Sequence, residues 1–258
     1  METDLRDKAV LVTGGSSGIG RATAVAYGKD GARVAITYNS NKEGAEETAR
    51  LAREAGATAT LTVRYDLADE AVIRDAAKTV ADTWGGIDVL VSNAVVWSEG
   101  IPRPGRVMPA FEDADPRLWQ EVLRTGVDAT FYTVAAVLPF MRGREWGRIV
   151  MVSSGLADYG MVGGAAYGAA KAGLLGIARS LTWELAPENI LVNVVAPGQT
   201  LTENVRRIAP AAALEAKAKT LPSGHLSVPD DVANTIVFLG SRANGNVNGQ
   251  TVRVTGGA

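Results

Sequence analysis

A tyrosine and a lysine in the second half of the chain have the types and the spacing of a proton-transfer site. Tyr167 and Lys171 are four residues apart, so in a helix they lie one turn apart on the same face. A free tyrosine ionises near pH ~10, and an adjacent ammonium stabilises the phenolate and so lowers the pKa of the phenol. With Ser154, thirteen residues upstream of Tyr167, the pair can form a proton-delivery device beside a hydride donor. The alternative is a half-buried tyrosine beside a solvated lysine, since one such pair is weak evidence by itself.

The composition of the chain excludes several kinds of chemistry. The 258 residues include no cysteine, which rules out disulfides, a thiol nucleophile and thiolate metal sites. His225 is the only histidine, so no His-based metal cluster can form, and we predict no metal site. The net charge of −2 and the lack of a dense basic cluster disfavour nucleic acid and anionic membrane surfaces. We therefore expect a small-molecule substrate, with no nucleic-acid or membrane partner.

The start of the chain predicts a cytoplasmic protein. The stretch from Met1 to Lys8 is polar and leads straight into an apolar run, with no apolar signal-peptide segment before it. The Ala-rich stretch from Ala165 to Ala178 comes closest to a membrane span, but it is short and contains Lys171. We interpret this stretch as a buried helix.

Short apolar runs alternate with helix-compatible stretches along the chain. Parallel strands need crossover connections, and helices are the usual ones, so the alternation predicts an α/β fold with helices on both faces of a parallel sheet. We expect one doubly wound domain over residues 1–258. Strands are predicted at 9–13, 33–38, 59–65, 89–92, 148–152, 191–196 and 251–254, and helices at 19–27, 42–55, 70–84, 116–141 and 166–186.

Two segments lack this alternation and contain three prolines each, Val95 to Asp115 and Gln199 to Pro229. Long irregular loops in compact domains are often functional. We predict that the first segment borders the substrate and that the second, residues 199–229, is a mobile substrate lid.

A Gly/Ser-rich turn, Thr13 to Gly20, lies between the first predicted strand and the first predicted helix. In that position Gly14 permits the tight turn, Gly18 lets a pyrophosphate approach the backbone, and Gly20 lets the helix pack closely on the sheet. The helix N-terminus then offers free N–H groups to the phosphates. The turn predicts a dinucleotide site, which also includes Ser16, Ser17 and Ile19. The alternative is a turn that only reverses the chain.

Five features occur in the order and spacing typical of one enzyme family. They are this turn, Asn93 at the end of the fourth strand, Ser154, the pair Tyr167 and Lys171, and Pro197-Gly198. Over nearly its whole length the chain resembles the classical short-chain dehydrogenases/reductases. The resemblance implies a Rossmann fold with seven parallel strands, a nicotinamide cofactor, and hydride transfer to or from a carbonyl or alcohol carbon.

The resemblance also implies catalytic roles. Tyr167 would donate a proton to the carbonyl oxygen during reduction, and Ser154 would hydrogen-bond the same oxygen. Lys171 would lower the pKa of Tyr167 and bind the nicotinamide ribose. Ser153 competes with Ser154, but a shift of one residue at a strand end points a side chain to the opposite face. The thirteen-residue spacing to Tyr167 favours Ser154.

Further cofactor contacts follow from the resemblance. Asp66 and Leu67, after the third strand, correspond to the adenine contact, and Asn93 begins the counterpart of the usual Asn-Ala-Gly. Val95 replaces that glycine and adds bulk where backbone and cofactor come close. The segment expected to meet the nicotinamide carboxamide and the pyrophosphate contains Pro197, Gly198, Thr200 and Thr202. Pro-Gly also ends strands in ordinary turns, which is the alternative.

The end of the second strand indicates the type of cofactor. Enzymes that prefer NAD place an Asp or Glu there, which binds the ribose hydroxyls and repels a 2′-phosphate. This chain has Thr37-Tyr-Asn-Ser40 instead. The residues that can donate hydrogen bonds to a phosphate are Tyr38, Asn39 and Ser40, with Arg21 and Lys42 as nearby cations. We predict NADPH or NADP as the cofactor rather than NADH.

One catalytic position departs from the family. Many members carry an asparagine in the fourth helix, seven positions after a tryptophan, and the same spacing from Trp119 leads to Gly126. A glycine tolerates a kink and can offer its main-chain carbonyl to a water. Our hypothesis is that the proton relay passes through the Gly126 carbonyl. The alternative is that Gly126 allows close packing against a neighbouring subunit.

The predicted activity is NADPH-dependent reduction of a ketone to a secondary alcohol, as in the 3-oxoacyl-carrier-protein reductases and polyketide-type ketoreductases that the chain resembles. Apolar residues in segments expected near the nicotinamide favour a bulky substrate: Trp97, Met108, Phe111, Tyr159, Met161 and Val162. Two alternatives stay open, an NAD(P)-dependent alcohol or sugar dehydrogenase and a catalytically weak NADPH-binding or regulatory protein. The resemblance further implies a homodimer or homotetramer.

Overall fold

The structure, a computed structural model, describes residues 2–97, 99–101 and 107–258. Within these residues the centre is a seven-stranded parallel sheet in the order β3-β2-β1-β4-β5-β6-β7. The strands are β1 (Ala9–Val12), β2 (Arg33–Tyr38), β3 (Ala59–Arg64), β4 (Val89–Ser92), β5 (Gly147–Val152), β6 (Ile190–Pro197) and β7 (Thr251–Val254). Each strand matches its predicted bounds to within one residue, and the predicted α/β fold is confirmed.

Helices pack on both faces of this sheet. The helices in the described residues are α1 (Gly18–Lys29), α2 (Lys42–Ala55), α3 (Glu70–Trp84), α4 (Pro116–Leu123), α5 (Ala129–Met141), α6 (Leu156–Tyr159), α7 (Ala165–Leu185), α8 (Glu203–Ile208), α9 (Ala211–Lys219) and α10 (Pro229–Leu239). One core packs α3, α5 and α7 against the sheet, and the other packs α1, α2 and α10 against it.

The central strands supply both cores because successive residues of a strand point to opposite faces. Leu11 and Leu90 lie in the core under α3, α5 and α7, and Val10 and Val89 lie in the core under α1, α2 and α10. All four side chains are buried. Burial of each stabilises the fold by roughly 1.5–3 kcal/mol. The strands therefore form a rigid platform for the loops at their carboxyl ends.

The direction of chain progression reverses between β1 and β4, and this reversal positions the site. From β1 the chain builds outward through β2 and β3, and it then returns to add β4 on the other side of β1. In open parallel sheets, the loops at the carboxyl ends of two such strands leave a crevice for ligands. The Gly-rich turn follows β1 and Asn93 follows β4, so both border this crevice.

The helix predicted over 116–141 is interrupted. α4 ends at Leu123, Arg124–Asp128 form a single π-helical turn, and α5 starts at Ala129. π-Turns inside α-helices frequently mark functional sites. Gly126 lies in the middle of this turn, where its low helix propensity weakens the regular α-helix.

The prediction of an irregular segment over 199–229 is wrong for much of its length, because α8 and α9 lie within it. Thr202 caps α8 by accepting a hydrogen bond from the Val205 N–H at 3.3 Å, and α9 is rich in alanine, the best helix former. α10 also lies outside the predicted helices. Pro229 at its first position and Asp230 in its first turn are nevertheless recognisable helix-start signals.

The Ala-rich stretch interpreted as a buried helix forms the first two-thirds of α7, and it is buried on one face only. Ala170 and Leu174 are buried, whereas Ala169, Ala172 and Gly176 are exposed. None of the described helices has the length and apolar character needed to cross a membrane.

Candidate active site

The Gly-rich turn after β1 has a backbone geometry that only glycine supplies without strain. Gly14 and Gly18 have φ angles of +64° and +54°. A Cβ at Gly14 would lie 2.8 Å from the Ala94 Cα, and a Cβ at Gly20 would overlap the Gly14 carbonyl oxygen. The turn, the end of β4 and helix α1 therefore approach as closely as their backbones permit. This geometry fits the predicted tight turn at Gly14 and the predicted close packing at Gly20.

Asn93 holds this turn against the end of β4. Its Nδ2 donates to the carbonyl oxygens of Thr13 at 2.9 Å and Gly14 at 3.2 Å. The Thr13 hydroxyl oxygen accepts hydrogen bonds from the N–H groups of Asn93 and Ala94 at 2.9 and 3.0 Å. The side chain predicted to contact the cofactor therefore shapes the floor of the crevice.

The start of α1 is open toward the crevice. Ser17 is its N-cap residue, and among the described residues its side chain makes no capping hydrogen bond. Ser17 is exposed, and Ser16, Gly18 and Ile19 are partly exposed beside it. A helix N-terminus without a capping side chain offers its first N–H groups and the positive end of its dipole to an anion. This end of α1 has the chemistry to hold a pyrophosphate.

The end of β2 presents neutral hydrogen-bond donors and a cation. Thr37 is buried and accepts a hydrogen bond from the Gly14 N–H at 3.1 Å, so it supports the turn. Tyr38 is partly exposed, and Asn39 and Ser40 are exposed. The Lys42 side chain is 64% exposed and lies 3.6 Å from Glu46, in a pair that water weakens. These predicted donors to a 2′-phosphate lie together at one edge of the crevice.

Arg21, the other predicted cation, is directed elsewhere. Its guanidinium donates to the Ser16 carbonyl oxygen at 2.8 Å, to the Thr48 hydroxyl at 3.1 Å and to the Glu203 carboxylate at 2.7 Å. These contacts hold it between the Gly-rich turn, α2 and α8. Of the two predicted cations, Arg21 is thus bonded within the chain, whereas the Lys42 side chain is mostly exposed.

Asp66 and Leu67 lie directly after β3, as predicted. One carboxylate oxygen of Asp66 accepts a hydrogen bond from the Ala68 N–H at 3.0 Å, and the other lies 3.6 Å from the Arg64 guanidinium. Leu67 packs against the core under α3, α5 and α7. The carboxylate is thereby fixed at the position that the resemblance assigns to the adenine contact.

The predicted catalytic side chains come together at the start of α7. Tyr167 lies in the first turn of α7 and Lys171 lies one turn later on the same face. The Lys171 ammonium is 5.8 Å from the centre of the Tyr167 ring and donates to the Val152 carbonyl oxygen at 2.9 Å. Ser154, just beyond β5, lies beside the Tyr167 phenol, where its hydroxyl favours the phenolate. Tyr167 is 9% exposed and Lys171 is 7% exposed, so water has little access to either.

Burial shifts the pKa values of this pair in opposite directions. Loss of water raises the pKa of Tyr167 to about 12, against the effect of its hydrogen bond with Ser154 and reinforced by nearby Tyr159. Burial lowers the pKa of Lys171 to about 8. The expected lowering of the Tyr167 pKa is therefore not met in this structure, because loss of water is the largest effect on both groups.

The two adjacent serines face different ways. The Ser153 hydroxyl is buried and donates to the Lys171 carbonyl oxygen at 2.8 Å. The Ser154 hydroxyl oxygen accepts a hydrogen bond from the Leu156 N–H at 3.2 Å, which leaves its proton for the oxygen of Tyr167 or of a substrate. Ser154 is thus the serine at the tyrosine, and Ser153 holds α7 against β5.

Gly126 packs against α7 beside the predicted catalytic pair, Tyr167 and Lys171. A Cβ at Gly126 would lie 2.8 Å from the Ala170 Cβ, and Ala170 directly precedes Lys171. The Gly126 carbonyl oxygen accepts a hydrogen bond from the Thr130 hydroxyl at 2.7 Å. The close packing that the sequence suggests with a neighbouring subunit therefore occurs within the chain.

A small cavity lies among these groups. Its volume is about 20 Å³, enough for roughly one water molecule. Its lining includes Tyr167, Lys171, Gly126 and Val95, together with the hydroxyl residues Ser92, Thr125 and Thr130. A water in this cavity would have the polar partners that a proton relay needs. Sequence reasoning missed Thr125 and Thr130, although a threonine four residues after Gly126 is a recognisable partner for its carbonyl.

The segment after β6 returns to the Gly-rich turn. Pro197 ends β6, and the buried Thr200 hydroxyl donates to the Gly198 carbonyl oxygen at 3.1 Å. Thr202 caps α8, and its methyl carbon would lie 3.2 Å from a Cβ placed at Gly18. Thr202 is therefore the residue of this segment that the fold brings directly onto the Gly-rich turn.

Apolar side chains are exposed on segments that flank Tyr167. They are Trp97, Val107, Phe111, Tyr159, Met161 and Val162. A Cβ at Gly163 would collide with the Met108 side chain, so the segment around residue 108 touches the loop before α7. Residues 98 and 102–106 of the predicted rim lie outside the described residues. The described part of the rim is mainly apolar, a lining typical of sites for apolar ligands.

Sequence comparisons identify the family of the chain. A family model described as enoyl-(acyl carrier protein) reductase matches residues 14–258. The chain is 36% identical to an acetoacetyl-CoA reductase from Shinella zoogloeoides, over 97% of this chain and 98% of that protein. It is 35% identical to the 3-oxoacyl-[acyl-carrier-protein] reductase FabG of Aquifex aeolicus, over 100% of this chain and 99% of that protein.

Solved structures agree with these relatives. A short chain dehydrogenase from Burkholderia cenocepacia J2315, in complex with NADP, superposes with a TM-score of 0.85 at 33% identity over 98% of both chains. Levodione reductase superposes with a TM-score of 0.88 at 29% identity over 98% of this chain and 97% of that chain. The chain belongs to the short-chain dehydrogenase/reductase family. It is an NAD(P)-dependent oxidoreductase, as its motifs predict.

Proposed function

We propose that the protein reduces a ketone to a secondary alcohol with NADPH, and that Tyr167 donates the proton to the carbonyl oxygen. The observation that carries this proposal is the convergence of Ser154, Tyr167 and Lys171 at the carboxyl end of the sheet that also bears the phosphate-binding turn. The names of the two curated relatives, which are reductases of acetoacetyl-CoA and of 3-oxoacyl groups, support ketone reduction.

The three side chains would divide the work on the substrate oxygen. Ser154 and Tyr167 would hydrogen-bond the carbonyl oxygen and so polarise the carbonyl group. NADPH, when bound, supplies the hydride. As negative charge develops on the oxygen, Tyr167 would transfer its proton, and the Lys171 ammonium would stabilise the resulting phenolate. With its pKa raised to about 12, the phenol of Tyr167 is protonated at neutral pH and so has a proton to donate.

The residues of the crevice fit NADP(H). The left-handed backbone at Gly18 and the open start of α1 suit a pyrophosphate. Asn39 and Ser40 stand at the end of β2, where enzymes that prefer NAD have a carboxylate, and the exposed Lys42 can reach a phosphate there. The structural relative solved with NADP supports this choice of cofactor. We propose that Lys42, rather than Arg21, meets the 2′-phosphate.

The substrate we propose is a bulky apolar ketone, or an acyl-type ketone such as those named for the relatives. The exposed apolar rim supports this class, since a sugar would leave these side chains in contact with water. Residues 199–229 would act as the substrate lid in a single domain of residues 1–258. Their helices α8 and α9 give this lid a firmer structure than the expected loop.

We also propose a homodimer or homotetramer. Phe131 on α5 and Trp183 on α7 are exposed, and Trp183 is 88% exposed. The exposed face of α7 carries the small residues Ala169, Ala172 and Gly176, which allow another helix to approach closely. A second copy of the chain would cover these surfaces. A cytoplasmic location stays a prediction.

The direct test follows NADPH oxidation at 340 nm with acetoacetyl-CoA and with bulky aromatic ketones. Tyr167→Phe should lower kcat/KM by about 10²- to 10⁴-fold, because it removes the general acid. Tyr132→Phe, which changes a phenol on α5 outside the proposed site, is the matched control. Turnover that persists in Tyr167→Phe would remove the proposed acid.

The same assay separates the alternatives. Equal or better use of NADH would contradict the choice of cofactor. Faster alcohol oxidation with NADP on a sugar or alcohol panel would favour a dehydrogenase, and NADPH binding without turnover would favour a regulatory protein.

A further inference from the structure

A single arginine joins three separate segments around the phosphate-binding turn. Through its guanidinium, Arg21 on α1 reaches the Ser16 carbonyl oxygen in the turn at 2.8 Å, the Thr48 hydroxyl on α2 at 3.1 Å, and the Glu203 carboxylate on α8 at 2.7 Å. Glu203 is the first residue of α8. Arg21 therefore connects the floor of the proposed cofactor site to the first helix of the proposed lid.

The contacts around this arginine place the start of α8 over the turn. Thr202, next to Glu203, has its methyl carbon 3.2 Å from where a Cβ of Gly18 would lie. On the other side, a Cβ at Gly44 would lie 2.6 Å from the Ser16 carbonyl oxygen, so α2 packs tightly against the same turn. The turn is fixed to α2 by this packing, whereas α8 meets it through Thr202 and the ion pair.

We propose that Arg21 is a positioning residue for the cofactor, and that its pair with Glu203 holds the start of α8 closed over the pyrophosphate part of the crevice. The inference rests on the proposed function, because it requires that this crevice bind NADP(H). The pair opens each time the cofactor enters or leaves, and it therefore sets how long the cofactor stays bound.

The geometry favours this role over direct contact with a 2′-phosphate. The guanidinium already donates hydrogen bonds to three oxygens, and two of these belong to the turn and to α2 rather than to the lid. A direct phosphate ligand would discriminate NADPH from NADH, because only NADPH carries the 2′-phosphate. A positioning residue acts on the pyrophosphate that both cofactors share, so its loss weakens both equally.

The test uses variants that change charge with little change in shape. Glu203→Gln removes the carboxylate charge, Arg21→Met removes the guanidinium, and Glu215→Gln makes the same charge change at an exposed position of α9. Dissociation constants for NADPH and NADH are measured by fluorescence titration, and the rate of NADP release by stopped-flow displacement. Thermal unfolding without cofactor checks that each variant is folded.

We expect Glu203→Gln to weaken NADPH and NADH by the same factor, about two- to five-fold, as befits a partly exposed ion pair. NADP release should accelerate by a similar factor, and the KM for the ketone should not change. Arg21→Met should weaken cofactor binding further, because it also removes the hydrogen bonds to Ser16 and Thr48. In the Arg21→Met background, Glu203→Gln should add little, since the pair is already broken.

Two results with these variants would overturn the inference. If Glu203→Gln matches Glu215→Gln in every binding measurement, the ion pair is only a surface contact. If Arg21→Met weakens the binding of NADPH but leaves the binding of NADH unchanged, the arginine binds the 2′-phosphate directly. A protein that binds both cofactors in this pair-dependent way but reduces no ketone would refute the proposed reaction and leave this inference standing. Absence of any NADP(H) binding would refute both.

Discussion

The two sides of the crevice are built from different kinds of groups. On the phosphate side, Gly14, Gly18 and Gly20 bring main-chain atoms together, and Asn93 holds them from below. On the proton side, where we propose that the proton is transferred, Tyr167 and Lys171 are buried beside Ser154, and burial is the largest effect on the pKa values of the tyrosine and the lysine. One side acts through backbone shape, and the other acts through side chains removed from water.

This difference explains why the two sides respond differently to sequence change. A binding surface made of main-chain atoms loses its shape when a side chain intrudes. The substitutions that it tolerates are therefore decided by the space around a few glycines. A buried acid–base pair depends on each neighbour that controls packing, water and charge around it. Gly126 belongs to the second kind, because it departs from the family at a position that packs directly against α7.

Among the glycine substitutions that test this contrast, the largest effect should come from a methyl group added on the phosphate side. In Gly20→Ala the new methyl group would overlap the Gly14 carbonyl oxygen and lie 2.7 Å from the Asn93 Nδ2. Overpacking of this kind costs about 1–3 kcal/mol, and here the strain falls on the turn itself. We expect the dissociation constant for NADPH to rise by about 100-fold in a fluorescence titration.

Gly28→Ala is the matched control for Gly20→Ala. It adds a methyl group to the same helix, 2.6 Å from the Ala52 carbonyl oxygen and away from the turn. It should lower the melting temperature but leave NADPH affinity unchanged. Similar affinities in the two variants would mean that the turn does not bind the pyrophosphate.

A methyl group added on the proton side should have a smaller effect, and this effect should be on kcat rather than on cofactor binding. In Gly126→Ala the new methyl group would lie 2.8 Å from the Ala170 Cβ and push on the turn of α7 that carries Lys171. We expect kcat to fall by about 10-fold, which corresponds to a displacement cost near 1.4 kcal/mol, with NADPH affinity unchanged. Steady-state kinetics in parallel with NADPH titration separate the two quantities.

Rescue sharpens this second prediction. Ala170→Gly removes the methyl group that Gly126→Ala meets, so the double variant should recover most of the lost kcat. Gly168→Ala, whose Cβ would lie in ordinary contact, 3.6 Å from the Leu156 carbonyl oxygen, controls for helix propensity on α7 and should leave kcat unchanged. A Gly126→Asn variant that raises activity by orders of magnitude would contradict a working relay at the glycine.

The phosphate side could be predicted from sequence because its signals are local. Gly14 to Gly20 carry their conformational meaning in their own residue type, and the alternation of apolar runs revealed the strands on either side. The residues of the proton side could also be located from sequence, but their packing and their pKa values could not be predicted. The need for glycine at position 126 comes from Ala170, distant in sequence, and the raised pKa of Tyr167 comes from burial that only the fold creates. α9 is a third case. Its Ala-rich sequence favours a helix, but the three prolines of residues 199–229 led to the prediction of an irregular segment.

The smallest expected effect is on the pH dependence of stability, and it tests whether Lys171 is removed from water as its burial implies. The pKa of Lys171 is about 8 in the folded protein, below its ordinary value of 10.5, so between these pH values the unfolded chain binds more protons. The free energy of unfolding should therefore rise with pH in this window, as the penalty for a buried ammonium is relieved. Tyr167 acts in the opposite direction only above pH ~10, where its ordinary titration begins.

Lys171→Met should remove this pH dependence. Between pH 8 and pH 9 the free energy of unfolding of the native protein should gain about 1 kcal/mol relative to the variant, as measured by urea denaturation. Lys78→Met, at an exposed position of α3, is the control and should follow the native protein at each pH. If the free energy of unfolding has the same pH dependence in the native protein and in Lys171→Met, the Lys171 ammonium is hydrated in the folded protein. The proton side would then be an open surface, and the contrast between the two sides of the crevice would rest on Gly126 alone.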